Sequence, residues 1–217
     1  MPTQPLTTVL FDLDGTLLDS IELILASYRH TLMAHRGAVP PEEVWIEGLG
    51  TPLRVQFRKF TNDPAEIDAM VETYRGHNLA NHDAMVSAFP GIREVITRLR
   101  DRGYKLGIVT SKNRSSTLRG LARAGLDGQF DVLVTAADVD KPKPDPEPVH
   151  RALEQLGAEP GEAVFVGDSP HDISAGRAAG VATAAVLWGP FRREDLSPSQ
   201  PDHWIERPTQ LLEMDAS

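Results

Sequence analysis

The feature that most constrains the fold is an alternation of short β-prone runs with helical segments in the second half of the chain. Aliphatic runs at residues 105–109, 131–134, 163–166 and 182–187 are separated by segments with helical patterning. Parallel strands need a long crossover connection, usually a helix, so this alternation predicts a parallel sheet with helices on both faces. An earlier run, Thr8–Phe11, supplies one more strand. The sequence therefore predicts an α/β fold built on a doubly wound parallel sheet.

A helical module interrupts this pattern directly after the first strand. Residues 19–83 show only helical periodicity, broken by segments that contain Pro and Gly. Asp19, with Glu22 three residues later, forms a capping-box-like start for the first of these helices. We expect a core domain of residues 1–18 and 84–217 and a cap of residues 19–83. Because the cap is inserted after the first strand, it should lie at the carboxyl ends of the strands, where open α/β sheets bind ligands.

Charge and composition exclude several classes of function. The formal net charge is −9, which argues against a nucleic-acid partner because such binding needs a basic surface. The chain has no cysteine, so disulfides, thiolate nucleophiles and Cys-ligated metals are impossible. No segment approaches roughly 18 consecutive apolar residues, and no basic segment precedes an apolar run at the N-terminus. We therefore expect a cytoplasmic protein without a membrane partner.

Two carboxylates flank the exit of the first strand. Asp12 and Asp14 are followed by Gly15, which allows a tight turn, and by Thr16. Carboxylates this close repel each other, so they need a cation, or one of them must be protonated. A hard divalent ion such as Mg²⁺ meets the first requirement, and a protonated Asp14 could act as a general acid. The structural alternative is an Asx turn, but this run directly after an apolar strand favours a chemical role.

Three further polar segments follow other predicted strands. Thr110 and Ser111 offer hydroxyl groups, residues 141–148 alternate proline with charged side chains, and Asp168 and Asp172 open a helix. Taken alone, these segments could be an ordinary loop, a rigid linker and a helix cap. The carboxyl ends of parallel strands share one crevice, so we expect all of them to face the same site. Carboxylates, a cation and hydroxyl groups together indicate divalent-metal phosphoryl transfer.

These segments resemble the motifs of the haloacid dehalogenase-like phosphatases. The matching residues are Asp12-x-Asp14-Gly15-Thr16, Thr110, Lys143-Pro144-x-Pro146 and Gly167-Asp168-x-x-x-Asp172. The resemblance extends over essentially the whole chain, and the set of motifs is far more specific than any one of them. It implies a Rossmann-like core with an inserted small α-helical cap that closes over the substrate and excludes water.

The resemblance also implies roles at the first and second motifs. Asp12 would be the nucleophile that accepts the phosphoryl group, and it would also bind Mg²⁺. Asp14 would protonate the leaving group and then activate the water that hydrolyses the aspartyl phosphate, while its backbone carbonyl binds the metal. Thr110 would donate a hydrogen bond to the phosphoryl oxygens, with Ser111 beside it in support.

The remaining motifs complete the implied site. Asp168 would be the third metal-binding residue, and Asp172 would support it. Both Lys141 and Lys143 begin a Lys-Pro-x-Pro pattern. Family members keep a nearly fixed spacing from the lysine to the metal-binding aspartate, and Lys143 fits this spacing to Asp168. We therefore interpret Lys143 as the residue that neutralises charge between nucleophile and phosphate.

Two branches of the family look most similar: phosphoglycolate phosphatases and the inorganic pyrophosphatases of this type. The pyrophosphatase branch is favoured by Tyr74-Arg75, by Asn78 and by the pair His82-Asp83. His82 is interpreted as a hinge or surface histidine rather than a ligand. The implied substrate is a small phosphorylated metabolite or pyrophosphate, because a cap of this size leaves little room when it closes.

Other members of the family provide alternatives. A dehalogenase proper would lack an acid at the position of Asp14, so its presence argues against dehalogenation. A sugar-phosphate mutase would keep all of these residues and return the phosphoryl group to a sugar. A non-catalytic binding module would be expected to have lost at least one of the motif residues, and none is missing.

Overall fold

A six-stranded sheet forms the centre of the molecule. The computed structural model describes residues 5–216. Its strands are β1 (Thr8–Phe11), β2 (Leu18–Asp19), β3 (Ser87–Ala88), β4 (Lys105–Val109), β5 (Val132–Val134), β6 (Ala163–Gly167), β7 (Ala182–Val186) and β8 (His203–Ile205). Six of them lie side by side in the order β5-β4-β1-β6-β7-β8, and every neighbouring pair is parallel. The structure thus has the predicted parallel sheet.

Helices pack on the sheet and also form a group between β2 and β3. They are α1 (Ile21–Arg36), α2 (Glu43–Ile46), α3 (Leu53–Phe57), α4 (Pro64–Met85), α5 (Ile92–Asp101), α6 (Arg114–Ala124), α7 (Glu147–Leu156), α8 (Pro170–Ala179) and α9 (Arg193–Leu196). Short 3₁₀ helices span Pro160–Glu162, Ser197–Ser199 and Pro208–Ala216. Within residues 5–216, no helix combines the length and the hydrophobicity needed to cross a membrane.

Alternate residues of β1 pack into different hydrophobic clusters. Val9 and Phe11 belong to a cluster that includes Ile96 of α5, whereas Leu10 packs in a second cluster with Val149 of α7. Successive side chains of a strand point to opposite faces of the sheet, and both faces are covered here. This explains why β1 is a continuous apolar run rather than an alternating one.

The strand order places a switch point at the centre of the sheet. From β1 the chain moves outward through β4 to β5, then returns to the other side of β1 and continues through β6, β7 and β8. Loops that leave β1 and its neighbours in opposite directions open a crevice at the carboxyl ends of these strands. Ligand-binding residues are therefore expected on the loops after β1, β4, β5 and β6.

The helices α1 to α4 are held together by an aromatic cluster. Tyr28 of α1 stacks on Trp45 of α2, with ring centroids 4.8 Å apart, and lies 4.9 Å from the ring of Tyr74 on α4. Phe57 of α3 contacts Tyr28 edge-on. Large aromatic rings contribute strongly to a core and prefer offset-stacked or edge-on arrangements of this kind. The proposed cap boundaries at residues 19 and 83 remain a prediction, but these four helices occupy that part of the chain.

A two-stranded ladder joins these helices to the sheet. Leu18 pairs with Ala88, and Asp19 pairs with Ser87, in antiparallel register. The expectation that Asp19 caps the first helix is wrong, because Asp19 lies in β2 and the residue before α1 is Ser20. The Ser20 hydroxyl does not cap α1 either. It donates instead to a carboxylate oxygen of Asp14, at 2.6 Å.

The last part of the chain adds structure that the sequence patterns do not indicate. The short strand β8 pairs with β7 and extends the sheet by one strand. Its middle residue, Trp204, lies against the guanidinium group of Arg193 in α9, 4.3 Å from the ring centroid. A three-residue strand is too short to show the alternation on which strand prediction depends.

Candidate active site

The predicted site residues meet at the carboxyl end of the sheet. Asp12 follows β1, Thr110 follows β4 and Asp168 follows β6, so they stand on three adjacent strands. Lys143 comes from the loop between β5 and α7 and reaches under them. The strand order thus brings together segments that are far apart in sequence.

Lys143 is buried and contacts the first carboxylate directly. Its Nζ donates to Asp12 Oδ1 at 2.7 Å, to Asp172 Oδ1 at 2.6 Å and to the carbonyl oxygen of Val109 at 3.2 Å. These three acceptors use all three ammonium hydrogens. Lys141 is exposed on the same loop. Of the two lysines that begin a Lys-Pro-x-Pro pattern, the structure therefore brings Lys143 to Asp12.

Asp168 fits into a space that two glycines leave open. Thr16 Oγ1 donates to Asp168 Oδ1 at 2.7 Å. A Cβ atom at Gly15 would lie 2.6 Å from Asp168 Oδ2, and one at Gly189 would lie 2.5 Å from its Cβ, so no side chain fits at either position. Gly15 also has φ +87°, a conformation that residues with a side chain rarely adopt. The Asp-Gly-Thr turn after β1 therefore serves to position Asp168.

Asp172 has two structural functions at once. Its Oδ1 accepts from Lys143, while its Oδ2 accepts from the Ser169 backbone N–H at 3.0 Å and from the Ser169 hydroxyl at 2.6 Å. With the reciprocal bond from the Asp172 N–H to Ser169 Oγ, this is a capping box at the start of α8. Helix capping, the structural alternative, and a contact with the site are thus both present.

The three buried carboxylates share a single ammonium group. Burial is the main reason that the pKa of Asp12 rises from 3.8 to about 7; Lys143 lowers this pKa, and repulsion from Asp172 raises it further. Burial, followed by repulsion from Asp12 and Asp172, holds the pKa of Asp168 well above its usual range. Burial alone would lower the pKa of Lys143, but the two carboxylates keep it above its ordinary value. Negative charge at the site is incompletely neutralised.

A divalent cation suits this arrangement of charges. Carboxylate oxygens of Asp12, Asp168 and Asp172 lie within 4.8 Å of one another. Asp12 and Asp168 each keep one oxygen that accepts no hydrogen bond from the residues the structure describes. Both oxygens of Asp172 are already occupied, so Asp12 and Asp168 are better placed to bind an ion. Hard cations such as Mg²⁺ prefer oxygen ligands of this kind.

Asp14 stands apart from this buried cluster. Lys112 Nζ donates to Asp14 Oδ1 at 2.7 Å, and the Ser20 hydroxyl donates to the same oxygen. Neither partner was identified from the sequence. Lys112 comes two residues after Thr110, at the carboxyl end of β4, and this position on the site-bearing edge of the sheet is the signal that could have revealed it.

The two hydroxyl residues after β4 have different surroundings. Thr110 is buried, and its Oγ1 accepts a 3.2 Å hydrogen bond from the Lys112 backbone N–H. Ser111 instead donates its hydroxyl to the carbonyl oxygen of Gly50, at 2.6 Å. Gly50 belongs to the loop between α2 and α3. In this arrangement Ser111 holds the helical group against the sheet, and its hydroxyl is not free for a phosphate.

A cleft of about 820 Å³ lies between the sheet edge and the helices α1 to α4. Asp12, Thr110 and Asp168 are at its base. Its helical wall carries two arginines, but Arg54 is paired with Asp68 and Arg75 lies 3.5 Å from Glu72. Pyrophosphate would fill only part of this volume. The prediction that little room is left therefore depends on movement of the helices.

A sequence profile of the haloacid dehalogenase-like hydrolases matches residues 9–186. The chain belongs to this family. Pyrophosphatase PpaX of Bacillus velezensis is 42% identical over 213 residues, which cover 98% of this chain and 97% of that protein. Pyrophosphatase PpaX of Anoxybacillus flavithermus is also 42% identical, over 95% of each chain. The resemblance inferred from the four motifs is therefore confirmed.

Solved structures agree with this assignment. A haloacid dehalogenase-like family hydrolase from Streptococcus pneumoniae has a TM-score of 0.83 with this chain. It is 26% identical, and the match covers 96% of this chain and 98% of that one. The predicted α/β fold is confirmed by the parallel sheet and by this similarity.

The charge imbalance predicts a pH dependence of stability in a chelating buffer. Because folding raises the pKa of Asp12 from 3.8 to about 7, the folded protein binds more protons than the unfolded chain between these values. The free energy of unfolding should therefore fall as the pH rises through this range. Asp168→Asn removes a repelling carboxylate, so it should raise the unfolding free energy at pH 7 and flatten the pH profile in urea titrations. Asp127→Asn, at an exposed position, is the control; equal slopes in the two variants would contradict the charge argument.

Proposed function

We propose that this hydrolase is a Mg²⁺-dependent phosphohydrolase that acts on pyrophosphate or a small phosphorylated metabolite through an aspartyl-phosphate intermediate. The observation that carries the proposal is the buried contact between Lys143 and Asp12, beside Asp168 and at the base of a large cleft. In this arrangement Lys143 fixes one carboxylate oxygen of Asp12 and leaves the other free for a metal ion. A carboxylate fixed in this way is suited to nucleophilic attack.

The proposed reaction has two steps. In the first, an oxygen of Asp12 bonds to phosphorus, and the bond from phosphorus to the leaving oxygen breaks. In the second, water bonds to phosphorus, Asp14 accepts one of its protons, and the bond to Asp12 breaks, which releases phosphate. Asp14 then passes the proton to the departing phosphate or to solvent, so that both carboxylates are restored. Lys143 keeps its charge throughout and offsets the negative charge that develops beside Asp12. Thr110 lies at the base of the cleft, where its hydroxyl can donate to a phosphoryl oxygen.

Mg²⁺ fits the donor set of the site. Asp12 and Asp168 would hold it through their free oxygens, with the backbone carbonyl of Asp14 as a further ligand. When bound, the ion would neutralise the excess negative charge and polarise the phosphoryl group. Mg²⁺ and a cytoplasmic location are parts of this proposal.

Pyrophosphate is the substrate that the named relatives and the site favour. Relatives named pyrophosphatases match nearly the full chain at 42% identity. In the structure Lys112 contacts Asp14, so a cation stands beside the group that would activate water. Phosphate leaves pyrophosphate with little need for a proton near neutral pH, so this pairing is compatible with that substrate. Phosphoglycolate is the alternative, because that branch shares every motif at the strand ends.

Loss of the nucleophile should abolish turnover. Asp12→Asn keeps the shape of the side chain but removes its charge, so hydrolysis of pyrophosphate and of a generic aryl phosphate should fall to near background. Thorough EDTA treatment of the wild-type protein should do the same, and added Mg²⁺ should restore activity. Wild-type rates in the variant would refute the covalent mechanism, and full activity after EDTA would refute the metal role.

The two lysines of the proline-rich loop should differ strongly. Lys143→Ala removes a buried, preorganised charge from Asp12 and should lower kcat by roughly 10²–10³, by analogy with other electrostatic stabilisers. Lys141→Ala, on the exposed side of the same loop, is the matched control and should change kcat little. Steady-state kinetics are compared on samples whose folding has been checked by circular dichroism. The reverse order of effects would show that Lys141 is the active-site lysine.

A panel of substrates tests which class of phosphate compound the protein prefers. We expect kcat/KM for pyrophosphate or 2-phosphoglycolate to exceed that for hexose phosphates and nucleoside monophosphates by at least about tenfold, or roughly 1.4 kcal/mol of transition-state preference. The physical reason is that a closed cap leaves little room beyond the phosphoryl group. A hexose phosphate in first place would refute this specificity but not the phosphatase mechanism.

A further inference from the structure

Two arginines of α6 hold the last turn of α4. Arg119 donates to both carboxylate oxygens of Asp83, through Nε and Nη2, each at 2.9 Å. Its Nη1 also donates to the carbonyl oxygen of Leu79 at 3.3 Å, and Arg123 Nε donates to the carbonyl oxygen of Asp83 at 2.8 Å. The last carbonyls of a helix have no partner inside it. Side chains of α6 thus supply hydrogen bonds to the end of α4, the longest helix beside the cleft.

This contact lies where a small rotation has a large effect. α4 ends at Met85, directly before β3, so the held turn adjoins the ladder that joins the helical group to the sheet. The same helix carries Tyr74 and Asn78 in the wall of the cleft. At 1.5 Å per residue, Tyr74 is about 14 Å along the helix from Asp83, so a rotation of about 5° at Asp83 would move it by about 1 Å. A displacement of this size is enough to impair a reaction that depends on alignment.

A buried histidine lies beside the same contact. His82 is 1% exposed, and its Nδ1 lies 2.9 Å from Asp83 Oδ1. A carboxylate can only accept, so Nδ1 is the donor in this contact. Nε2 has no hydrogen-bond partner among the residues that the structure describes. A buried polar atom without a partner costs free energy, so the surroundings of His82 are satisfied at only one of its two ring nitrogens. His82 is buried, so it is not a surface residue, and its interpretation as a hinge residue stays a prediction.

We propose that Arg119 is a positioning residue for the hydrolysis. Through Asp83 it sets the angle of α4, and thereby the alignment of the cleft wall over Asp12. This inference rests on the proposed function, because alignment matters only if substrate reacts at Asp12. Arg119 itself also borders the cleft, whereas Asp83 does not. A variant of Asp83 can therefore disturb the position of α4 without removing a side chain that could contact the substrate.

Stability alone cannot explain such a role. The side chains of Arg119 and Asp83 are 38% and 59% exposed, and ion pairs this exposed contribute little to the free energy of unfolding. Arg98 and Glu94 on α5 form a similar pair, 3.0 Å apart and 56% and 60% exposed, away from the cleft. Arg98→Ala is therefore the matched control.

The test compares the kinetics of four variants with pyrophosphate as substrate. We expect Arg119→Ala and Asp83→Ala each to lower kcat/KM at least about tenfold, mostly through kcat, while the urea midpoint stays close to that of Arg98→Ala. Arg119→Lys keeps the charge but loses the forked contact, so its kcat/KM should be intermediate. Full activity in Asp83→Ala with loss in Arg119→Ala would overturn the proposal, because Arg119 would then act on the substrate directly. Activity lost in proportion to stability would also overturn it.

A second readout does not depend on activity. Hydrogen–deuterium exchange should accelerate in Arg119→Ala at residues 79–86 and at residues 48–51, where Ser111 holds the Gly50 carbonyl. The strands β1 and β6 should keep their wild-type exchange. If the wild-type protein does not hydrolyse pyrophosphate, the proposed substrate is wrong. The exchange measurement alone then decides whether Arg119 sets the position of α4. Unchanged exchange at both segments, in Arg119→Ala or, should that variant fail to fold, in Arg119→Lys, would overturn the proposal.

Discussion

The ion pair between Lys143 and Asp12 is the interaction on which the site depends. It joins the loop after β5 to the end of β1, and the same ammonium holds Asp172 at the start of α8. A charge this deeply buried is tolerated only when it is paired and hydrogen-bonded. The three segments must therefore take up their positions together. Formation of the site and correct assembly of the central strands are one event rather than two.

The same interaction leaves an excess of negative charge at the base of the cleft. One ammonium cannot balance the carboxylates of Asp12, Asp168 and Asp172, and two glycines give Asp168 the room to stay there. A chain selected only for stability would replace one of these acids with a neutral residue. Three carboxylates at this place are understandable if a cation binds there and balances their charge. Enzymes commonly give up some stability for activity in this way.

The sequence identifies the residues that the fold brings together, but not all of their partners. Lys143 was predictable because the carboxyl ends of parallel strands share one edge, and because its spacing matches the family motif. Lys112 and Ser20, which hold Asp14, were not, since a side chain on a loop can turn to several neighbours and tertiary packing selects one. Ser111 lies beside Thr110 at the end of β4, as predicted, but its hydroxyl donates to the Gly50 carbonyl in the helical group. The strand His203–Ile205 was missed because its length gives no periodic signal.

The ladder of β2 and β3 has a consequence for how this architecture can change. Leu18 and Ala88 are paired, so the chain leaves the sheet domain and comes back at nearly the same point. Doubling the length of a loop with fixed ends raises its closure free energy by only about 0.6 kcal/mol. The intervening helices can therefore be lengthened, shortened or exchanged for another unit at little expense to the rest. Recombination at these two neighbouring positions offers a route by which the same sheet and its site could acquire a new substrate selectivity in evolution.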